Sequence, residues 1–156
     1  YTSRFLTLTK GTGVINRIFH GYGKFEGEMD GRKNGALISM ANGKAVAFAI
    51  FNLQARGEMF VTHNDPVYEG MIVGLAPKAG DMIINVMKGK QLTNMRTQGT
   101  DENVVLTPVR QMSIAEQLSM LNTDEALEIT PKSLRLRKAI LNPHERKKNE
   151  KSGTPL

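Results

Sequence analysis

Three cations stand close together between two apolar runs of this 156-residue chain. Residues 88–103 read Lys-Gly-Lys-Gln-Leu-Thr-Asn-Met-Arg-Thr-Gln-Gly-Thr-Asp-Glu-Asn, and Lys88, Lys90 and Arg96 all precede the first acid, Asp101. Gln91, Thr93 and Asn94 add amide and hydroxyl groups between them. Cations neutralise phosphates, and amides and hydroxyls hydrogen-bond phosphate and sugar oxygens. The stretch sustains neither the period of 2 that buries a strand face nor the 3.6 that buries a helix face, so it predicts a loop. A long unpatterned loop inside a compact domain is functional or disordered. A solvated hairpin tip reads the same way from composition alone.

A second basic group lies near the C-terminus: Arg135, Arg137, Lys138, Arg146, Lys147, Lys148 and Lys151. Such a run is commonly a solvated face. Added to the loop, it favours an anionic partner. The whole chain has 21 Lys and Arg against 15 Asp and Glu, a net charge of +6 and a pI near 9.7. Nucleic acid, an anionic membrane and an acidic protein all suit that balance. Forty per cent of residues are hydrophobic, enough for a globular core. With no cysteine, disulfides and thiolate metal sites are excluded. No apolar run approaches the length of a membrane span and no signal segment opens the chain, so a cytoplasmic location is expected and no membrane partner. The first residue is Tyr, which predicts a chain that begins inside a longer protein.

Catalytic patterns are scarce. Gly43-Lys44 and Gly89-Lys90 lack the upstream glycine of a phosphate-binding loop. There is no Gly-x-Ser-x-Gly elbow and no His-Glu-x-x-His metal pair. His63-Asn64-Asp65 offers an imidazole near a carboxylate, the parts of a general base, but a histidine in a turn is ordinarily polar surface. Asp101 and Glu102 are adjacent, and on a strand they would point to opposite faces, which is poor for a shared proton or a metal. Nine methionines suit adaptable core filling, or a Met-rich groove for a protein partner. No catalytic residue, metal or small-molecule substrate is assigned.

The elements that must hold these groups are short. Phe5, Leu6 and Leu8 read as the last turns of a helix, and Val14 to Phe19 as a strand closed by Gly21-Tyr22-Gly23. Residues 26–34 form a polar linker. Gly35–Ala41 and Lys44–Ile50 read as two strands joined at Asn42-Gly43, the pair preferred in tight hairpins. One helical turn follows over Phe51–Arg56. Further strands are expected at Glu58–Thr62, Tyr68–Leu75, Met82–Val86 and Val104–Thr107. Ser113-Ile-Ala-Glu116 is a capping box and opens a helix to Asn122. Leu127 and Ile129, then Leu134 and Leu136, mark two strands, the second an edge strand with a basic outer face. Asn142-Pro143 suits the N-cap and first position of a helix through Lys148. The fold class is α+β: a mainly antiparallel, β-rich domain with one or two helices, preceded by the last helix and strand of an incomplete α+β domain.

Several blocks carry a resemblance. Gly43-Lys-Ala-Val-Ala-Phe-Ala-Ile-Phe-Asn-Leu-Gln-Ala-Arg-Gly57, Val67-Tyr-Glu-Gly-Met-Ile-Val-Gly74, Gly89-Lys-Gln-Leu-Thr-Asn-Met-Arg96, Gly99-Thr-Asp-Glu102 and Ile129-Thr-Pro-Lys-Ser-Leu-Arg-Leu-Arg137 are similar to the C-terminal region of the TypA/BipA translational GTPases. The similarity runs from about Ser3 to Lys148. It implies that residues 1–25 end a domain shared with elongation factor G, that 34–150 form the family-specific C-terminal domain, and that 151–156 are a disordered tail. It also implies a ribosome-binding module with roles in large-subunit assembly and in translation under stress or cold. Its partners would be the ribosome, large-subunit rRNA and the A-site tRNA, met by the loop at residues 88–102. GTP and Mg would belong to a domain of the parent protein that this chain does not contain, so no cofactor is expected here. Ala76-Pro-Lys-Ala-Gly80 departs from the more polar turn of the family. The RNA-contacting set is then Lys88, Lys90, Gln91, Thr93, Asn94, Arg96, Arg135, Arg137, Lys138, Arg146 and Lys147. The alternative is a protein–protein module contacting a ribosomal protein or the GTPase domain.

Overall fold

A computed structural model describes residues 2, 5, 8–10, 12–25, 32–89 and 105–152. The chain divides into two compact units, 1–30 and 31–156. In the first, Thr2, Phe5 and Leu8 are helical, as the apolar spacing predicts. The strand expected over Val14–Phe19 does not form: residues 12–25 carry neither helix nor strand, and Val14, Ile18, Phe19 and Tyr22 are exposed. A strand needs a neighbour to satisfy its N–H and C=O groups, and none is supplied among the described residues.

The second unit has eight strands and three helices among its described residues. They are β1 (Ala36–Ser39), β2 (Gly43–Lys44), α1 (Ala47–Gln54), β3 (Glu58–Met59), β4 (Pro66–Val67), β5 (Ile72–Leu75), β6 (Met82–Ile84), α2 (Ile114–Ser119), β7 (Glu125–Ile129), β8 (Leu134–Lys138) and α3 (Pro143–Ser152). The main sheet has the order β3-β5-β1-β6. β1 pairs antiparallel with β5 and parallel with β6, so the crossover from β1 to β6 adds one parallel pairing to an otherwise antiparallel fold. β2 with β4 and β7 with β8 form two antiparallel ladders.

Every residue of β1 and β5 is buried, as expected where both faces of a sheet are covered. Leu37 and Val73 turn to one face, where they meet Ala45, Ile50 of α1, Met59 and Val86. Ala36, Ile38 and Ile72 turn to the other and pack on Leu136 of β8. Met59 and Met71 lie inside the first cluster and Met87 and Met112 pack against the two, so these methionines fill the core.

The Asn42-Gly43 hairpin is overturned. Gly43–Lys44 pairs with β4 across the chain, not with β1, and Ala47–Gln54 is a helix. Alanine is the best helix former, and Val46, Ala49, Ile50 and Leu53 recur at helical spacing toward the core. Val104–Thr107 does not resume the sheet in its described part: residues 105–107 are irregular, with Leu106 packed on the core. The capping box is present: Ser113 Oγ accepts from the Glu116 N–H (3.3 Å), and Glu116 accepts from the Ser113 N–H (2.9 Å). The helix it starts ends at Ser119, short of Asn122. Asn142 Oδ1 caps α3 through the His144 N–H (2.8 Å). That helix runs past Lys148 to Ser152, so Lys151 and Ser152 are helical and not part of a tail; residues 153–156 lie outside the described residues.

Candidate nucleic-acid interface

Lys90, Gln91, Thr93, Asn94 and Arg96 lie outside the described residues, as do Asp101 and Glu102. What the structure shows is how the two roots of that segment are held. On the outgoing side β6 ends in a turn in which Asn85 accepts from the Met87 N–H (2.9 Å). Val86 is buried, and its carbonyl accepts from the Val46 N–H (2.9 Å) at the start of α1. Lys88 follows and is exposed. On the returning side Gln54, at the last turn of α1, pairs with both backbone groups of Thr107: its Nε2 donates to the carbonyl (2.9 Å) and its Oε1 accepts from the N–H (3.1 Å). Both roots are thus fastened to the two ends of one helix.

The β7–β8 hairpin carries the second basic group. Arg135 pairs with Glu128 directly across the ladder (3.2 Å). Glu128 also accepts from the Tyr68 hydroxyl, and that bond, then Arg135, holds its carboxyl below the usual range. Burial, then the hydrogen bond to Glu128, pushes the Tyr68 phenol up to about 12. Arg137 donates to the carbonyls of Lys138 (3.2 Å) and Ala139 (3.3 Å). Both arginines are part-exposed and already engaged.

Lys138 is not a surface cation, and its place among the RNA contacts is corrected. Its side chain is 2% exposed, and its Nζ reaches Asp81, Asp124 (2.7 Å) and Glu125 (3.0 Å). Glu125 is itself fully buried and takes a two-pronged bond from Arg32, at 2.8 and 3.2 Å. Burial alone would lower the Lys138 pKa; the bonds to Asp124, Asp81 and Glu125 outweigh it and raise it. An ammonium surrounded by three carboxylates has no donor to offer a phosphate. The signal was in the strand parity: Lys138 shares a face with Leu134 and Leu136, which turn inward.

On α3, Arg146 is also diverted. It donates to the carbonyls of Ile140 (2.9 Å) and Leu141 and fastens the helix to the end of β8. Lys147 is exposed, together with His144, Lys148 and Lys151, which were outside the predicted set.

His63 does not form a base. Its Nδ1 accepts from the Ala47 N–H (3.2 Å), capping α1 where Val46 offers no side-chain cap, while Asp65 accepts from Thr62 instead. The groove beside it, of about 440 Å³, is walled by Ile50, Val61, Leu106 and Val109. A second groove, of about 730 Å³, runs past Phe60, Met112 and Ile114 to Lys132 and Arg135. No group of three potential metal ligands occurs among the described residues.

These features describe a β-rich α+β domain with Lys88 exposed just after β6 and exposed lysines along α3. The model of the TypA/BipA C-terminal domain matches residues 34–143. The chain is 46% identical over 157 residues to the large ribosomal subunit assembly factor BipA of Buchnera aphidicola subsp. Schizaphis graminum, covering 100% of this chain and 26% of that protein. It is 45% identical over 149 residues to the proteins of the same name from Salmonella typhimurium and Escherichia coli K12, covering 95% of this chain and 24% of each. The chain belongs to the TypA/BipA C-terminal domain family, and it spans about a quarter of the length of the curated relatives it matches.

Proposed function

We propose that this chain is the ribosome-docking C-terminal module of a translational GTPase that acts in large-subunit assembly in the cytoplasm and in translation under stress or cold. Its contacts are large-subunit rRNA and A-site tRNA, and the nucleotide chemistry of GTP and Mg belongs to another part of the whole protein. Residues 1–25 are the end of the preceding elongation-factor-like domain. The observation that carries this reading is identity of 45–46% along nearly the whole chain to proteins named as assembly factors for the large ribosomal subunit. The net charge of +6 supports an RNA surface as the partner. Met59 and Met71 are buried in the core and so are not available to an apolar protein contact.

The mechanism is electrostatic approach followed by fixing of register. Lysines and arginines displace counterions from phosphates, and backbone and amide groups of the 88–103 segment complete the contacts. The test is co-sedimentation of the chain with large ribosomal subunits across a range of salt. Binding that weakens steeply with salt is expected. Binding that is flat in salt would favour an apolar contact with a ribosomal protein and sink the RNA reading.

A further inference from the structure

We infer that one face of α3 is a binding surface for the phosphate backbone of duplex RNA. The inference rests on the RNA-docking reading above and assigns a surface within it. In Pro143–Ser152, His144, Lys147, Lys148 and Lys151 stand at positions i, i+3, i+4 and i+7, which a helix gathers into one stripe. All four are exposed. Glu145, Asn149 and Glu150 project from the remaining circumference, and so does Arg146, which is spent on the carbonyls of Ile140 and Leu141.

Two properties of the helix point to a ligand. None of its residues is buried, so no apolar packing supports it. Within the stripe, Lys147 and Lys148 each stand beside Lys151, at i+4 and i+3, so two neighbouring pairs bring like charge together. None of the four residues has an ion-pair partner among the described residues. Such pairs cost a helix stability, and a polyanion laid along the stripe removes the cost. The helix carries no large apolar residue, which argues against a membrane surface. Duplex RNA fits because its wide, shallow groove is bordered by phosphates and is recognised through backbone contacts and shape. Arg146 then acts as a positioning residue that fixes the helix on β8.

The experiment measures binding of the whole chain to a short mixed-sequence RNA duplex over a range of salt. One variant carries Lys147→Ala, Lys148→Ala and Lys151→Ala. The control carries Lys33→Ala, Lys44→Ala and Lys78→Ala, which removes equal charge from exposed lysines elsewhere. The stripe variant should lower the slope of log affinity against log salt by roughly 2 to 3, and the control by less than half as much. Amide exchange at 144–151 should slow on adding RNA to the parent chain and not to the stripe variant. Equal losses in the two variants would assign binding to diffuse charge and overturn the stripe alone. Polyglutamate binding as tightly as RNA and failing in the same variant would reassign the stripe to an acidic protein. A parent chain with no salt-dependent RNA binding would overturn both the stripe and the function proposed above.

Discussion

At Lys138 the distinction between a charge for function and a charge for structure is decided by which way one side chain turns. Removing one partner of a buried ionic group leaves the others uncompensated, so Lys138→Ala should destabilise the chain by about 3 kcal/mol, read as a lowered urea midpoint. The same cluster sets the acid limit of stability. Burial alone would raise the Asp81 pKa, but bonds from Lys138 and the Ala36 N–H bring it below 3.8. A lowered carboxyl contributes stability that is present above its unfolded value and lost as pH falls through the folded one, so the urea midpoint should drop below about pH 4. Lys138 and Tyr68 set the alkaline limit, both being raised. Their contribution is full below about pH 10 and disappears as pH rises through their folded values. In an absorbance titration of the tyrosines, Tyr68 should ionise last, near 12, and Tyr68→Phe should remove that late phase. The residue types of this cluster were visible in the sequence, but their meeting was not, because Arg32 and Glu125 are 93 residues apart.

The elements divide by whether their signal is local. The capping box at Ser113 and the Asn142-Pro143 start of α3 were legible because caps are satisfied by residues within one turn. Ser113→Ala should cost about 1 kcal/mol, measured by chemical denaturation. α1 was not legible because Asn42-Gly43 is a strong turn signal, while the segment after it is rich in alanine and turns helical against the core. Gly70 shows how a single position joins elements: its φ of +83° and its closeness to Leu141 leave no room for a side chain. Its N–H donates to Ser39 and its carbonyl accepts from Lys138. Gln54 ties α1 to the returning root at Thr107, so Gln54→Ala should speed amide exchange at Thr107 with a global loss of about 1 kcal/mol. Unchanged exchange there would show that the root is held by Leu106 and Val109 alone.

For the whole molecule, class and strand content were legible from short apolar runs separated by turns. The parallel β1–β6 pairing was not, because periodicity does not encode which strands become neighbours. The candidate interface was legible as composition and only partly as surface, since Lys138 and Arg146 are consumed by the fold. Two cationic regions remain, and a direct comparison separates them. Lys88→Ala, Lys90→Ala and Arg96→Ala together should weaken association with large subunits and reduce its salt slope by roughly 2 to 3, with stability changed by no more than about 0.5 kcal/mol. Normal affinity and slope would remove residues 88–96 from the binding surface.

The charge cluster also dictates an order of events during synthesis. Its members enter the chain at four separate times: Arg32 ahead of β1, Asp81 ahead of β6, Asp124 and Glu125 at β7, and Lys138 at the end of β8. Until Lys138 has emerged, Glu125 can be buried only with half of its countercharge. Contacts so distant along the chain close late and slowly. The sheet can therefore collapse early on its apolar strands, but it locks only when the last strand arrives. A chain stopped just before Lys138 should keep most of its secondary structure yet lack a cooperative unfolding transition, a state that calorimetry of staged truncations would reveal.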